Sequence, residues 1–172
     1  NIDNVQVIAL RAIIKRFPLV CFSWSNIKEL IKNVDVIHLM GHWYMLNALV
    51  YFLAMRVGVP YIVCPAGELS LFGRSGLIKR LFNKAIGYRI IRNAAGYVAI
   101  TPDEFEVYEK YGIDRSRVVL IPNGINEEDF KVSKDQKFVR GLGLNGAPFI
   151  LFMGRLNPIK GPDLLLEAFC NV

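Results

Sequence analysis

Most familiar catalytic signatures are missing from this chain. It has only two histidines, His38 and His42, in 172 residues. No GxSxG, HExxH or P-loop pattern occurs, so serine-hydrolase, zinc-peptidase and Walker-type chemistry have no sequence support. A DxD pair for bridging a divalent ion to a nucleotide is also lacking, the nearest approach being Glu127 with Asp129 in a polar connection. Metal-dependent transfer is therefore not expected. The three cysteines, Cys21, Cys64 and Cys170, are odd in number, far apart and set in apolar segments. Such spacing suggests neither a disulfide framework nor a zinc site and fits a reducing cytosol.

Acidic residues are scarce in the first half. Residues 1–95 hold 12 Lys/Arg against 4 Asp/Glu, whereas residues 96–172 hold 9 against 11. A basic half-chain points to an anionic partner such as a membrane surface, a phosphorylated substrate or nucleic acid. At 53% hydrophobic and 21% charged, the chain is globular in composition, with enough residues for one core or one and a half. It begins at Asn1 without Met and stops inside a helical pattern, so both ends read as cut and a fragment is expected.

Residues 36–55 form a 20-residue run without Asp, Glu, Lys or Arg, long enough to be tested as a membrane span. The run contains His38, Gly41, His42 and Asn47, and it divides into a strand at 36–40 and a helix at 44–57 closed by Gly58 and Pro60. A strand at 61–64 completes a βαβ unit, and unbroken apolar strands suit a parallel sheet covered on both faces. Upstream, residues 5–10 read as a first strand, residues 11–25 are ambiguous, and Asn26 with Glu29 resembles a capping box for a short helix through Ile27, Leu30, Ile31 and Val34.

Further on, residues 66–76 read as a mobile loop at a strand's C-terminal end, where open α/β sheets place ligands. Residues 77–93 then resume helical spacing, with Leu77, Ile78, Leu81, Phe82, Ala85 and Tyr88 on one face and Lys79, Arg80 and Lys84 off it. Either this basic helix packs its apolar face on the sheet, or it lies on an anionic membrane surface. A strand at 97–100 leads to a helix start at Thr101, Pro102 and Glu104, ended by Gly112. The strand at 118–121 runs into Pro122, Asn123 and Gly124, a sharp turn at the ligand-facing edge. Residues 126–145 read as an interdomain connection. The GLGLNG run there matches GxGxxG but precedes a strand instead of following one, so it is discounted.

One stretch carries more chemistry than the rest. GRLNPIKG, residues 154–161, ends a strand at 149–153, presents Arg155 and Lys160 between Gly154 and Gly161, and delivers the chain to a helix start. Two fixed cations beside helix N-terminal amides suit a pyrophosphate. An ordinary strand–loop–helix connection with solvated cations fits the same residues. His38 reads as a core histidine. His42 and Trp43, after Gly41, either line a cleft, with Trp43 offering a flat face to a sugar ring, or pack inside.

In order, DVIHLMGHW (35–43), VPYIVCPAGEL (59–69), the YVAIT strand, LIPNGI (120–125) and FMGRLNPIKGPDLLLEAF (152–169) resemble the family 4 retaining glycosyltransferases of the GT-B fold. The resemblance implies an α/β protein. Its parts would be a partial N-terminal, acceptor-side Rossmann-like domain with a parallel sheet and flanking helices (1–125), a connection (126–145), and the first βα unit of a donor-binding Rossmann-like domain (146–172). It implies that Arg155 and Lys160 grip the donor diphosphate and stabilise leaving-group charge, with Gly154 and Gly161 allowing close backbone approach and Asn123 on the donor side. Gly41, His42, Trp43, Gly67 and Glu68 fall at the acceptor side. The donor would be a nucleoside-diphosphate sugar, the acceptor a lipid-linked or surface-polysaccharide glycan, with retention and no metal or other cofactor.

The chain departs from the family in two places. Many relatives have HxHGLW where HLMGHW stands here, so Met40 replaces a His and His42 a Leu; Ala66 also stands where many carry a His. No acceptor-site histidine role is carried over. The glycine-rich loop near the family's N-terminus and the acidic ExxxxxxxE motif lie outside this stretch, so the isolated chain is expected to be inactive. The expected location is cytoplasmic, peripheral at the inner membrane face, with residues 77–93 as the membrane contact and no nucleic acid. Two other functions suit parts of the pattern: a non-hydrolysing nucleotide-sugar epimerase of the same fold, and a non-catalytic basic module for phosphorylated polymers or nucleic acid.

Overall fold

Four short apolar segments, each followed by a helix or turn, build the central sheet. The computed structural model describes residues 5–14, 19–21, 24–70, 76–131, 141, 143 and 147–171. It divides into two compact units, Asn1–Gly124 and Ile125–Val172. In the first unit a hairpin of β1 (Arg11–Ile14) and β2 (Leu19–Cys21) precedes α1 (Trp24–Lys32). Then follow β3 (Ile37–Met40), α2 (Met45–Val57), β4 (Tyr61–Cys64), a long helix over residues 76–92, β5 (Gly96–Ala99), α3 (Glu104–Lys110) and β6 (Val118–Leu120). The strands β3-β4-β5-β6 form one parallel sheet in chain order, with Ile37 opposite Tyr61, Val63 opposite Tyr97 and Ala99 opposite Leu120.

Alternate strand residues Leu39, Tyr61, Val63, Tyr97, Ala99 and Val118 point to one face and are buried with Ala48, Tyr51 and Ala54 of α2 and with Ile90, Ile91 and Tyr108. The opposite side of α2 presents Leu49 and Leu53 to Ile27 and Ile31 of α1. Helix α2 therefore lies between the sheet and α1, which explains why residues 36–55 carry no charge. The run is a strand with one face under the helices, where Leu39 is buried, and a helix covered on two sides. Among the described residues no helix is long and apolar enough to cross a membrane. Gly58 ends α2 at φ 82°, a left-handed cap that favours glycine.

Several expectations change. Residues 5–10 are exposed and, apart from an isolated bridge at Val5, form no strand; the strands lie at β1 and β2 instead. Helix α1 starts at Trp24, which places Asn26 inside it instead of at its cap. His38 is exposed, as are Met40 and Val119, because these side chains point away from the helices. Among the described residues the helices thus cover one sheet face, where the apolar strands had implied two. Cys64 is a buried free thiol and Cys170 an exposed one.

The helix over residues 76–92 is continuous but not uniform, since Asn83–Gly87 is a π-turn. Its inner face is Phe82, Asn83, Ile86, Gly87, Ile90 and Ile91, while Leu77, Ile78, Leu81 and Ala85 face outward and Tyr88 lies at the border, its ring 4.9 Å from that of Tyr111. Of the expected apolar face, Phe82 packs inward while Leu77, Ile78, Leu81 and Ala85 are exposed. The sequence is apolar on two sides of this helix, and tertiary partners choose between them. A Cβ at Gly87 would lie 2.2 Å from Asn83 Oδ1 and 3.0 Å from His42 Nε2, so only glycine permits the close approach.

Five buried tyrosines tie helices to strands or to other helical segments. Tyr61 donates to Ile90 O (2.7 Å), Tyr108 to Val98 O (2.9 Å) and Val63 O (3.2 Å), and Tyr97 to Arg92 O (3.4 Å). Asn93 donates to the Tyr51 hydroxyl (2.9 Å) and Asn83 to that of Tyr111 (2.6 Å). Burial holds the Tyr61, Tyr97, Tyr108 and Tyr111 phenols above their ordinary range. No buried side-chain N or O lacks a partner among the described residues.

The second unit holds a 3-10 turn at Glu127–Phe130, a second at Pro158–Lys160 and α4 (Pro162–Cys170). Residues 147–153 form no ladder, so the strand expected at 149–153 is not realised. Its pairing groups find no neighbouring strand among the described residues. An apolar groove of about 530 Å³ lies between this segment and α4, lined by Phe149, Phe152, Leu165 and Phe169 among others. The GLGLNG run and most of the expected connection lie outside the described residues.

Candidate functional site

At the C-terminal edge of the sheet, the loop after β3 is joined to the loop after β4 by Glu68. Gly41 takes φ +71°, and its N–H donates to Cys64 O at 2.9 Å, which carries the β3–β4 ladder one residue further. The chain then turns, and Asn47 Nδ2 closes the turn by donating to Met40 O (2.9 Å) and Gly41 O (3.2 Å). Glu68 Oε2 accepts from His42 N–H at 2.8 Å and Oε1 from the Tyr44 hydroxyl at 3.2 Å, while Trp43 Nε1–H donates to Glu68 O at 2.6 Å. The carboxylate holds the Tyr44 phenol above its usual range. A Cβ at Gly41 would stand 2.4 Å from the Tyr44 ring and 2.8 Å from Glu68 Oε2. Gly41, His42, Trp43, Gly67 and Glu68 are thus brought together at one edge.

Their exposures differ. His42 is 1% exposed, enclosed by Trp43, Phe82 and Tyr111 at ring distances of 4.6, 5.6 and 5.9 Å. Its Nε2–H donates to Asn83 Oδ1 at 2.8 Å, Asn83 passes a bond to Tyr111, and the Tyr111 hydroxyl reaches Leu69 O at 3.2 Å. This imidazole braces the edge from beneath; it does not line it. Trp43 is half-buried, with the Lys79 ammonium 5.1 Å from its ring centroid. Glu68 is half-buried and Gly67 exposed.

Burial lowers the His42 pKa from its usual value near 6.5, partly offset by the Asn83 hydrogen bond and the Glu68 carboxylate. The unfolded chain then takes up a proton that the folded state resists. The stability tied to a neutral His42 is complete above about pH 6.5 and is lost as pH falls through the lower folded-state value. His42→Gln is expected to flatten the dependence of the urea midpoint on pH between about 5 and 7 relative to wild type. Parallel profiles for the two proteins would remove this account.

A second carboxylate organises the neighbouring edge. Glu104, 7% exposed, accepts from Ile100 N–H at 2.5 Å and from Gly67 N–H. Sequence spacing placed it inside a helix begun at Thr101, whereas α3 begins at Glu104 itself and residues 101–103 form a turn. The bond to Gly67 helps hold two successive left-handed residues, Ala66 (φ 51°) and Gly67 (φ 82°). A cavity of about 180 Å³ lies here, bordered by Gly67, Ser70, Thr101, Asp103 and Glu104. Hydroxyls and carboxylates of that kind suit a polyhydroxylated ligand. Sequence reading missed Asn83 and Tyr111, which belong to no local motif, and took Glu104 for a helix-start residue alone.

Of the remaining candidates, Asn123, Gly154, Arg155 and Lys160 are exposed and Gly161 is half-buried. Asn123 lies in the extended stretch after β6. In the second unit Asn157 Oδ1 accepts from Ile159 N–H at 3.0 Å, and Lys160 N–H donates to Asn157 O at 2.8 Å. The resulting turn folds Lys160 back, so that a Cβ at Gly154 would sit 3.9 Å from Lys160 Cγ. Gly161 (φ 61°) then starts α4, with Leu165 N–H donating to Gly161 O at 3.0 Å. The first amides of α4 and the Lys160 stem lie at one end of this turn, as an anion site requires. Asp163 contributes an opposing charge in the first helical turn. Among the described residues no metal-sized cluster of His, Cys, Asp and Glu occurs.

Solved structures define the class. Anabaena HepE crystallised with UDP-glucose superposes with a TM-score of 0.68 at 17% identity, over 86% of this chain and 40% of its own. HepE with UDP gives 0.67 over the same shares. The fold is that of the GT-B glycosyltransferases. Residues 8–124 match the glycosyl transferase 4-like domain, and the chain belongs to that family. Among curated relatives, the D-inositol 3-phosphate glycosyltransferase of Frankia alni is 29% identical over 143 residues, 78% of this chain and 34% of its own length. That of Geodermatophilus obscurus is 37% identical over 82 residues, 46% of this chain and 18% of its own. The chain thus spans about a third or less of these relatives.

Proposed function

We propose that the chain supplies the acceptor-side domain and the opening of the donor-side domain of a glycosyltransferase that moves a sugar from a nucleoside diphosphate to an acceptor hydroxyl. The observation that carries this is the turn over residues 154–161, which folds Lys160 back on Gly154 at a helix start. As the bond from the anomeric carbon to the diphosphate oxygen breaks, charge develops on the leaving group, and Arg155, Lys160 and the α4 amides are the groups to stabilise it. With Arg155 and Lys160 assigned to that charge and no DxD pair in the sequence, the reading is metal-independent. Retention is carried over from the family resemblance.

For the acceptor, Gly41, Trp43, Gly67 and Glu68 offer an edge with one aromatic face and one carboxylate, fitting a glycan hydroxyl on a lipid carrier or surface polysaccharide. The relatives' names favour a second reading, a small polyol phosphate such as inositol 3-phosphate. The whole enzyme, incubated with UDP-glucose and acceptors of both kinds, is expected to form a glycoside of unchanged anomeric configuration, with EDTA having no effect. Inverted product would remove retention, and loss of rate with EDTA would remove metal independence. Turnover of the sugar nucleotide without acceptor would establish the epimerase reading, and salt-sensitive polymer binding with no nucleotide-sugar competition the binding-module reading. Residues 1–172 alone are expected to show no turnover.

A further inference from the structure

We propose that Asn83 is a positioning residue of the acceptor side, acting through His42 and Tyr111 to hold the Glu68 carboxylate in place. The inference rests on the acceptor-side reading of Glu68 given above. Asn83 is 4% exposed, so it works from beneath the strand-end edge. Its Oδ1 accepts from His42 Nε2–H at 2.8 Å, and its Nδ2 donates to the Tyr111 hydroxyl at 2.6 Å. Each arm then ends at Glu68 or its neighbour. His42 N–H donates to Glu68 Oε2 at 2.8 Å, and the Tyr111 hydroxyl donates to Leu69 O at 3.2 Å. One buried amide thus ties down both the carboxylate of Glu68 and the backbone that carries it.

Three features of the long helix converge on this one side chain. An apolar side chain of similar size would fill the space without burying polar atoms, each of which is costly when left unpaired. Asn83 also opens the π-turn Asn83–Gly87, an irregularity that is rare in helices and gathers at functional sites. Gly87, one turn on, leaves the room the amide occupies, since a Cβ there would collide with Asn83 Oδ1. Packing alone asks for none of these. What the amide adds is direction: its acceptor and donor are fixed relative to each other, so the imidazole and the phenol do not shift independently. On the solvent side the Tyr44 hydroxyl, 3.2 Å from Glu68 Oε1, completes the hold. Both carboxylate oxygens keep a lone pair for an acceptor hydroxyl. Trp43, whose Nε1–H is bound to Glu68 O at 2.6 Å, is placed by the same residue.

The test is a double-mutant cycle on the whole enzyme, with UDP-glucose as donor and the better of the two acceptor kinds named above. Asn83→Leu is expected to lower kcat/KM for the acceptor about tenfold and to leave KM for UDP-glucose within about twofold of wild type. Glu68→Ala should lower the same ratio at least about tenfold. Adding Asn83→Leu to Glu68→Ala should then cost no more than about a further twofold, because the carboxylate to be positioned is gone. Tyr111→Phe loses only a hydroxyl and should show the same pattern with a loss of about threefold, which keeps the cycle usable if Asn83→Leu folds poorly. Losses that multiply in the double variants would overturn the proposal, as would a rise in KM for UDP-glucose equal to the loss toward acceptor. Hydrogen exchange reads the geometry without turnover. The His42 amide should exchange about tenfold faster in Asn83→Leu, while the Gly58 amide, bonded to Ala54 O at 2.8 Å, should not change. Unchanged exchange at His42 would overturn the proposal. Glu68→Ala with unaltered acceptor kinetics would bring down the acceptor-side reading of Glu68, and the proposal with it, even where His42 exchange rose.

Discussion

Lys160→Ala in the whole enzyme is expected to lower kcat by about 10²–10³-fold, and Arg155→Ala by a similar factor, because in the proposed function each supplies a cation to the developing diphosphate charge. Lys160 is the more telling of the two. Its backbone is set by Asn157, and its stem passes beside Gly154. Lys160→Arg should recover part of the rate, while Lys160→Gln should not, since the amide keeps length and polarity without charge. Steady-state kinetics with saturating acceptor decide the matter. If Lys160→Ala raised KM for the donor with kcat unchanged, the lysine would bind substrate and transition state equally and the leaving-group role would fall.

The second large effect concerns stability. Tyr108 is fully buried, its ring edge-on to Tyr97 at 5.6 Å and its hydroxyl shared between Val98 O and Val63 O. Tyr108→Ala opens a ring-sized cavity under two strands and should cost about 3–5 kcal/mol. Against a total of about 5–15 kcal/mol for a typical domain, that is enough to leave the first unit partly unfolded at 25 °C. Tyr108→Phe keeps the ring and should lose only about 1 kcal/mol for the hydrogen bond. Urea midpoints at unchanged slope measure both. A Tyr108→Ala cost near that of Tyr108→Phe would mean the site collapses around the smaller side chain.

The segment from β3 to β4 was legible because its signals are local: an apolar strand, an uncharged helix and a left-handed Gly58 stop. The same holds for α3, which Gly112 closes, and for the glycine-bracketed turn at residues 154–161. Features that depend on partners distant in sequence were not legible. His42 gave no local sign that Asn83, 41 residues on, would hold it inside. The helix over residues 76–92 offered two apolar faces, and only packing against His42 and Tyr111 distinguishes them. Residues 149–153 look like a strand to any periodicity rule, yet a ladder is a property of two segments.

The Glu104 carboxylate has a consequence for how the sheet edge moves. It takes one amide from the turn after β4 and one from the end of β5. Opening either turn alone would strip a buried carboxylate of a partner, at a cost of about 1–3 kcal/mol. The two turns therefore behave as one cooperative element with a shared latch. A ligand that seats on Gly67 or Glu68 would also restrain the start of α3, so recognition at one strand end reaches the next without any rearrangement of the sheet between them.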